Sequence, residues 1–493
     1  MLNPYLTQPS GRRVATLIGV YATFFFVIGD AIGFSVLLPV ALNELGGMQL
    51  YALATSIGGI AAVVAMPLLG FLAARFPHAR PMMLGVSLLI VVATIALRGL
   101  AWDAEALVAS TVLLSIGTSA SYTIGLPLIR DMFPVHRAGT LLGAVSSVSS
   151  IGVIAGPIII GIIIQSAGWR GVSIFSGAGL LVAALLVMFG ARPSKKECAP
   201  FAVRVGSFDW LGAILLTAFI TFLVLPLALG TSAIPYGSPL NTLYFAVSAV
   251  ALIGFSIVTA RRKAAAFIPT TVLKNRNSLA LMFEVFFAAG SLLVAESFIP
   301  VYILNGLHGT AVEAGIAAAL FGIPAIFLGP LVGRWIANTG TVRGVIWSST
   351  AFKLIAMIGL GTWMLVAPET VNIWVVYAAC FLAGIYNVGQ QGTVMAAPQI
   401  MVPGALRPQA TGAISTQIVF GPIAAAAVFG SVIVSKGPTL GVALALLTAS
   451  IMAALGLIPP FFMRRLRGAE AEETLGAAEV ATEEAGPAIV LPS

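Results

Sequence analysis

Long apolar stretches decide what this sequence can fold into. Of its 493 residues, 59% are hydrophobic and only 9% are charged, and the mean hydropathy is +1.05. Soluble proteins of ordinary composition carry about a quarter of charged residues, so a soluble domain is excluded. An apolar run of about 20 residues crosses the hydrocarbon core of a bilayer as a helix. The sequence therefore predicts an all-α polytopic membrane protein.

Fourteen such stretches divide the chain. The predicted spans are 14–42, 50–74, 82–100, 105–130, 138–165, 171–191, 208–230, 240–260, 278–304, 312–336, 342–366, 373–400, 408–434 and 438–462. They form two six-helix halves, 14–191 and 278–462, with two inserted helices in 208–260. The other predicted segments are a cytoplasmic N-terminal segment 1–13, a basic linker 192–207, a cytoplasmic loop 261–277 and an acidic, disordered tail 463–493.

The positions of Lys and Arg predict the orientation of these spans. Nearly all of the 25 basic residues lie in the N-terminal segment, the tail or alternate loops. The other side has Arg98, Arg170 and Lys436, and Lys353 lies inside a span. Loops rich in Lys and Arg face the cytoplasm in helical membrane proteins. We therefore expect both termini to be cytoplasmic, and we attribute the net charge of +8 to topology and not to nucleic-acid binding.

Short sequence echoes indicate an internal repeat. The matched segments are Pro67-Leu-Leu-Gly70 with Pro330-Leu-Val-Gly333, Gly156-Pro157 with Gly421-Pro422, and Arg137-Ala-Gly with Arg407-Pro-Gln-Ala-Thr-Gly. Each pair joins corresponding spans of the two halves. The echoes imply parallel halves, which in many transporters move about a site near the middle of the membrane.

Span 5 carries glycine and proline in its interior. Gly152 and Gly156 are four residues apart, so they share a face on which another helix can approach closely. Pro157 cannot donate to the carbonyl of Val153, which predicts a bend. Plain helix packing explains such a face. The alternative is a surface against which other helices move.

The pattern Gly152-xxx-Gly156-Pro157-xxx-Gly161 resembles the antiporter motif in the fifth helix of drug:proton antiporters of the major facilitator superfamily. The resemblance implies that spans 5 and 13 provide a conformational seam. The seam residues would be Gly152, Gly156, Pro157, Gly161, Gly421 and Pro422. The segments 208–212 and 273–277 resemble the flanks of the inserted helix pair in the fourteen-helix group of these antiporters.

Two further segments are similar to the superfamily at the cytoplasmic ends of the helices. Residues 70–80 resemble its motif between helices 2 and 3, although Ala74 replaces the usual acidic residue and Pro77 its second glycine. Residues 129–137 match the pattern that follows helix 4. The resemblance implies a cytoplasmic gate motif made of Gly70, Arg75, Arg80, Asp131 and Arg137.

The resemblance implies an inner-membrane secondary transporter that exports a small organic, drug-like compound in exchange for protons. Its partners would be the lipid bilayer, a small-molecule substrate and protons. One departure leaves alternatives open, because residues 111–117 of span 4 lack the Arg and Gln that this group carries. The alternatives are an importer or uniporter of an organic anion on the same fold, and a non-transporting membrane sensor or assembly partner.

Ionisable residues inside spans are costly and so mark function. Asp30 lies near the middle of span 1, where the fourteen-helix group tends to place an Asp, and it is the first candidate for coupling to protons. The alternative is a hydrogen-bond anchor to a neighbouring helix. Glu296 in the outer part of span 9 is the second candidate, and a carboxylate wetted from outside is its alternative.

Three other charged residues receive structural interpretations. Glu284, near the cytoplasmic end of span 9, is expected at the interface, and Arg98 is expected to anchor span 3 at the membrane surface. Lys353 lies in span 11, which corresponds to a peripheral helix. Its ammonium could snorkel, pair with a carboxylate or be neutral if buried, and we favour snorkelling or a structural role. If Lys353 instead faces the cavity, it favours an anionic substrate.

Spans 4 and 12 are expected to line a central cavity for an amphipathic organic compound. The candidate residues are Ser119, Tyr122, Tyr386, Asn387, Gln390 and Gln391. The amides of span 12 would equally serve as hydrogen bonds between helices. His78, His136 and His308 are isolated, and no phosphate-binding loop occurs, so we expect no metal, no cofactor, no ATP and no enzymatic activity.

Overall fold

The computed structural model describes residues 4–47, 51–198, 208–228, 237–403, 406–436 and 438–464. Residues 199–207 of the predicted linker and residues 465–493 of the predicted tail lie outside them. The long helices are α1 (Ser10–Glu44), α2 (Tyr51–Arg75), α3 (Arg80–Gly99), α4 (Ala104–Met132), α5 (135–167), α6 (169–189), α7 (Trp210–Ala228), α8 (Pro239–Arg262), α9 (Arg276–Asn305), α10 (Ala311–Thr339), α11 (Arg343–Val366), α12 (Ile373–Met395), α13 (Arg407–Lys436) and α14 (Pro438–Leu455).

These helices agree with the predicted spans. In the described residues, eleven helices are long and apolar enough to cross a membrane. One of them, Val135–Phe189, turns at Gly168, where φ is +71°, so it comprises both α5 and α6. Glycine adopts this backbone conformation without a steric penalty. With α7 and α13 at two further predicted positions, the arrangement is consistent with fourteen spans.

Polar caps mark the helix starts at the membrane boundary. Asp103 accepts a 2.7 Å hydrogen bond from the backbone N–H of Ala106 at the start of α4. Thr310 and Glu313 form a reciprocal capping box at the start of α10. Each cap satisfies backbone N–H groups that have no partner within the helix, which stabilises the start by about 1 kcal/mol.

The helices form two bundles with an inserted pair beside them. In the N-terminal bundle (α1–α6), α1 packs along α5 and α6, and in the C-terminal bundle (α9–α14), α9 packs along α13 and α14. The apolar core of the N-terminal bundle includes Phe24, Leu88, Ile124 and Leu180, which are fully buried. Large apolar side chains such as Ile174 are exposed on the outer surface, as contact with lipid requires.

The inserted helices lie beside both bundles. α7 and α8 pack on each other, and α7 also contacts α2 and α13. Asp209 fixes this pair, because its buried carboxylate accepts hydrogen bonds from the backbone N–H groups of Gly212 (2.9 Å) and Phe267 (3.1 Å). Arg262, at the end of α8, lies 3.5 Å from the same carboxylate.

The two ends of the molecule have different side chains. One end, which we call the basic end, holds the first and last described residues together with Arg80, Asp131 and Arg407. There the Tyr5 hydroxyl donates to the carbonyl of Pro77 over 2.6 Å. The opposite end holds the turn at Gly168.

Candidate functional site

Asp30 of α1 is bound by Arg98 of α3. The guanidinium donates two hydrogen bonds to the carboxylate, of 2.8 and 2.7 Å, and both side chains are almost completely buried. The expected anchoring of Arg98 at the membrane surface is therefore wrong. Arg98 lies near the end of its helix, but it faces the inside of the bundle because a buried carboxylate is there to pair with it.

The residues that line the space beside Asp30 belong to the N-terminal bundle. A cavity of about 10 Å³, roughly the space of one water molecule, lies beside Asp30 and is lined by Gly29, Gly156, Ile160 and Ser176, among others. The Phe34 ring lies 5.6 Å from the guanidinium carbon of Arg98. The space beside the pair thus faces α5 and α6.

Lys353 of α11 is enclosed in the C-terminal bundle. Its ammonium donates a hydrogen bond to the Ser291 hydroxyl of α9 and lies 3.9 Å from the centroid of the Tyr386 ring of α12. The side chain is 0% exposed. Snorkelling of Lys353 is therefore wrong, whereas the structural role expected as its alternative agrees with these contacts. A cation over an aromatic face gains about 1–2 kcal/mol when desolvated, which offsets part of the cost of burial.

Two carboxylates of α9 are electrostatic neighbours of Lys353. Glu284 is 2% exposed, and its Oε2 atom has no hydrogen-bond partner in the described part of the chain. The expected interfacial position of Glu284 is therefore wrong, since packing of α9 against α12 and α13 encloses it. Glu296 also interacts with Lys353, but its side chain is exposed.

The predicted cavity residues have separate contacts in the part of the chain that the structure describes. Ser119 is buried and donates to the carbonyl of Ser115 within α4, and Tyr122 packs edge-on against Phe24 with ring centroids 5.2 Å apart. Tyr122 lies in a π-helical turn, Ser121–Gly125, that interrupts α4. Such turns are frequent at functional sites.

The predicted residues of α12 have different environments. Tyr386 contacts Lys353, and the amide of Asn387 donates to the carbonyl of Phe321 in α10 over 3.4 Å. The contact of Asn387 is the helix-to-helix hydrogen bond that sequence left as the alternative. Gln390 is buried and Gln391 is half-buried.

An ion cluster joins the two bundles at the basic end. Asp131 at the end of α4 accepts a hydrogen bond from Arg80 at the start of α3, and its other oxygen lies 3.6 Å from Arg407 at the start of α13. All three side chains are buried. Of the predicted gate residues, Arg80 and Asp131 meet here, whereas Arg75 and Arg137 are exposed. Arg75 packs against Phe76 instead.

The two bundles meet through glycines near this ion cluster. A Cβ on Gly70 of α2 would lie 2.7 Å from the carbonyl oxygen of Pro408, and one on Gly333 of α10 would lie 2.1 Å from that of Gly139 in α5. In the first contact, the span 2 segment of the N-terminal half meets the start of span 13 in the C-terminal half. In the second contact, the equivalent span 10 segment of the C-terminal half meets the start of span 5 in the N-terminal half. The sequence repeat therefore corresponds to a pseudo-twofold interface.

The predicted seam glycines pack elsewhere. A Cβ on Gly156 would lie 2.4 Å from the carbonyl oxygen of Gly29, and one on Gly421 would lie 2.3 Å from that of Phe286. Gly152 also contacts α1, and a Cβ on Gly161 would meet open space. Each of these contacts joins two helices of the same bundle. In this conformation the contact between the two bundles therefore lies at Gly70, Gly139 and Gly333. Pro157 and Pro422 are half-buried beside their glycines.

Two contacts of the candidate residues were not anticipated from the sequence. These are the pairing of Asp30 with Arg98 and the contact of Arg407 with Asp131. The signal for the first was present, because an Asp and an Arg inside one half of a membrane protein need partners. The direction in which each side chain points was the missing information.

Comparison with known proteins agrees with this architecture. The Major Facilitator Superfamily sequence model matches residues 20–295. The human organic anion transporter MFSD10 (TETRAN) has a crystal structure that is similar with a TM-score of 0.59 and 16% identity, over 93% of this chain and 100% of that one. This likeness confirms the predicted fold class.

Curated relatives are similar at lower coverage. Multidrug resistance protein 3 of Bacillus subtilis (strain 168) is 25% identical over 331 residues, which are 67% of this chain and 62% of that protein. Efflux pump FUS6 of Gibberella fujikuroi (strain CBS 195.34 / IMI 58289 / NRRL A-6831) is 24% identical over 391 residues, 78% of this chain and 69% of that protein. The chain thus spans about two thirds of the length of these relatives.

The family match covers more than half of the sequence, and the chain has the corresponding helical fold. Many apolar helices of membrane-spanning length support the same assignment. The protein therefore belongs to the major facilitator superfamily, as a multi-pass membrane transporter and not an enzyme.

Proposed function

We propose that the protein exports a small organic, drug-like compound across the plasma membrane in exchange for protons, by alternating access. Relatives named as a multidrug resistance protein and an efflux pump support the direction and the class of substrate. The excess of Lys and Arg at the basic end supports its location in the cytoplasm. No nucleotide is required in this proposal, because the proton gradient supplies the free energy.

The observation that carries this proposal is the buried carboxylate of Asp30, held by the single cation Arg98. Removing the charge of one partner leaves the other charge buried and uncompensated. Protonation of Asp30 would therefore release Arg98, and loss of the proton would restore the two hydrogen bonds. A change in packing between α1 and α3 thereby accompanies each proton, which is what coupling requires.

Glu296 is the second proposed coupling residue. Its carboxylate is exposed, and its electrostatic neighbour Lys353 lies inside the C-terminal bundle. An exposed carboxylate exchanges protons with water readily. Glu296 would therefore take up protons from the opposite end of the molecule.

Closure of the basic end supports alternating access. Asp131 connects Arg80 of one bundle with Arg407 of the other, and the glycine contacts between bundles lie at the same end. In this conformation the substrate path would open toward the opposite end. Breaking the contact of Asp131 with Arg407 would open the basic end and complete the cycle.

The proposal is tested in inverted membrane vesicles with an imposed proton gradient. Candidate amphipathic cations, neutral compounds and anions are added in turn, and collapse of the gradient is followed with a quenched pH dye. We expect collapse with the wild type and none with Asp30→Asn. Because Asp30→Asn leaves Arg98 unpaired, the Asp30→Asn/Arg98→Gln variant is tested as well.

Glu44→Gln is the matched control, because Glu44 also lies in α1 and pairs with Arg170, but at the surface. It should behave as the wild type. Full gradient collapse by a folded Asp30→Asn variant would rule out the role of Asp30. Substrate movement that ignores the gradient would rule out proton exchange.

The alternative is import or uniport of an organic anion. Residues 111–117 of span 4, which lack the Arg of the antiporter group, favour it. The enclosed position of Lys353 argues against it, since an anion cannot reach this ammonium unless the helices move. Uptake of an anion into right-side-out vesicles without a proton gradient would establish the alternative.

A further inference from the structure

Each bundle holds one basic side chain that extends from its third helix to its first. Arg98 extends from α3 to Asp30 of α1, and Lys353 extends from α11 to Ser291 of α9. α11 packs mainly on α12 and α14, so the long Lys353 side chain crosses between helices to reach α9. The two arrangements are related by the repeat, but only one of them ends on a carboxylate.

The packing shows that Ser291 occupies the place of Asp30. Asp30 follows Gly29, which contacts Gly156 of α5, and Ser291 follows Gly290, which contacts Gly421 of α13. A hydroxyl therefore stands where the N-terminal bundle has an acid. A charged Lys353 needs an anion nearby, because a lone ammonium in the interior is costly.

Glu284 is the group that fits this need. It precedes Ser291 by seven residues, so it lies on the same face of α9, about 10 Å along the axis. Its side chain is buried, its Oε2 atom has no hydrogen-bond partner in the described residues, and it is an electrostatic neighbour of Lys353. A buried carboxylate without a partner is either neutral or in need of a cation.

The other titratable groups near Lys353 do not replace Glu284. Glu296, which also interacts with Lys353, follows Ser291 by five residues, so it points to another side of α9, and it is exposed whereas Glu284 is buried. Tyr386 contributes its ring from α12. α13 has charged residues only at its ends, at Arg407 and Lys436, and α14 has none.

We infer that Glu284 is a further proton-binding site of this protein, besides Asp30 and Glu296, and that Lys353 is its counter-ion. The inference rests on the proton-coupled function proposed above and adds a site in the C-terminal bundle. With a proton on Glu284 the acid is neutral, and the ammonium rests on Ser291 and Tyr386, as observed. When the proton leaves to water, the carboxylate attracts the ammonium, which keeps its own proton and moves toward Glu284.

The test is infrared difference spectroscopy of the full chain in liposomes of phosphatidylcholine and phosphatidylglycerol, recorded as the pH is raised. The readout is the C=O band of a protonated carboxylic acid. We expect a band that disappears with rising pH in the wild type and is missing from Glu284→Gln, whereas bands of Asp30 and Glu296 remain. In Lys353→Met the band should persist to more alkaline pH, by about one unit, because the carboxylate has lost its counter-ion.

Two variants complete the design. Glu369→Gln is the control, because Glu369 is an exposed acid in the turn Pro368–Thr370 of the same bundle, and it should leave the band unchanged. Glu284→Gln/Lys353→Met removes both charges together, and proteins usually tolerate the loss of a whole buried pair. This double variant replaces a single variant that does not fold. A wild-type spectrum that neither Glu284 variant changes, or a Glu284 band that Lys353→Met does not move, overturns the inference.

The result is separable from the proposed function. If the Glu284 band titrates but no compound collapses the gradient in vesicles, the proposed function fails and the site stands. If transport depends on Asp30 but no band belongs to Glu284, the inference fails and the proposed function stands.

Discussion

Arg98 and Asp30 form a bidentate ion pair between α3 and α1, with both hydrogen bonds at 2.7–2.8 Å and both side chains at 4% exposure or less. Each residue is tolerated in the interior only because of the other. The pair is therefore one unit, both for the stability of the N-terminal bundle and for any proton that it binds.

Removing Arg98 alone should destabilise the protein strongly. In Arg98→Met the carboxylate of Asp30 is left buried without its cation, which costs about 3–5 kcal/mol. In Asp30→Asn/Arg98→Met both charges are absent, so we expect stability close to that of the wild type. Thermal unfolding in detergent measures both.

The control for this pair is Arg170→Met, which removes the exposed ion pair with Glu44. Exposed pairs contribute about 1 kcal/mol or less, so little change is expected. An Arg98→Met variant as stable as the wild type would show that Asp30 does not depend on its partner.

Gly333→Ala should prevent closure of the basic end. The added methyl group would lie 2.1 Å from the carbonyl oxygen of Gly139, so the two helices must separate. Such overpacking costs about 1–3 kcal/mol. Gly315→Ala is the control in the same helix, because a Cβ there would meet nothing within 4 Å.

The measurement is the distance between spin labels at Arg137→Cys and Arg276→Cys, two exposed residues at the basic ends of α5 and α9. The background is Cys198→Ser/Cys380→Ser. Gly333→Ala should lengthen the distance, and Gly315→Ala should not. Identical distances for both would mean that the glycine contact does not hold the bundles together.

Asp131→Asn should open the same end for an electrostatic reason. The amide cannot neutralise Arg80 and Arg407, so two buried cations are left facing each other across the bundles. The same spin-label distance should shift toward longer values. Asp131→Asn removes the negative charge between the two arginines and leaves the glycine contacts between the helices unchanged. Glu197→Gln, which changes an exposed acid at the same end, should have no effect.

Cys198 should be an unreactive thiol at neutral pH. Burial raises the pKa of this thiol to about 11, and only 1% of the residue is exposed. Because the thiolate is the reactive form, a pKa two units above the ordinary value of 9.0 lowers its fraction about 100-fold at pH 7. Labelling by N-ethylmaleimide in Cys380→Ser measures this.

The rate should rise about tenfold for each pH unit, since the thiolate fraction increases with pH up to the pKa. Protein unfolded in detergent serves as the control and should label at the rate of an ordinary thiol. Rapid labelling of the folded protein at pH 7 would contradict the buried position of Cys198.

Much of the architecture was legible in the sequence. Span positions follow from the length of apolar runs, since a helix must cover the hydrocarbon core. The family followed from short motifs, and the repeated segments at Gly70 and Gly333 do form equivalent contacts between the bundles. Backbone groups in lipid must be satisfied locally, so the helices themselves depend little on distant residues.

The partners of the buried charges were decided only by the tertiary structure. The sequence predicted that Asp30 and Lys353 lie inside membrane spans, but it assigned Arg98 to the membrane surface and Glu284 to the interface. The packing turned both inward, Arg98 toward Asp30, 68 residues away, and Glu284 into the interior of the C-terminal bundle. Hydrophobic length determines how deep a residue lies, whereas the rotation of each helix against its neighbours determines which charge it meets.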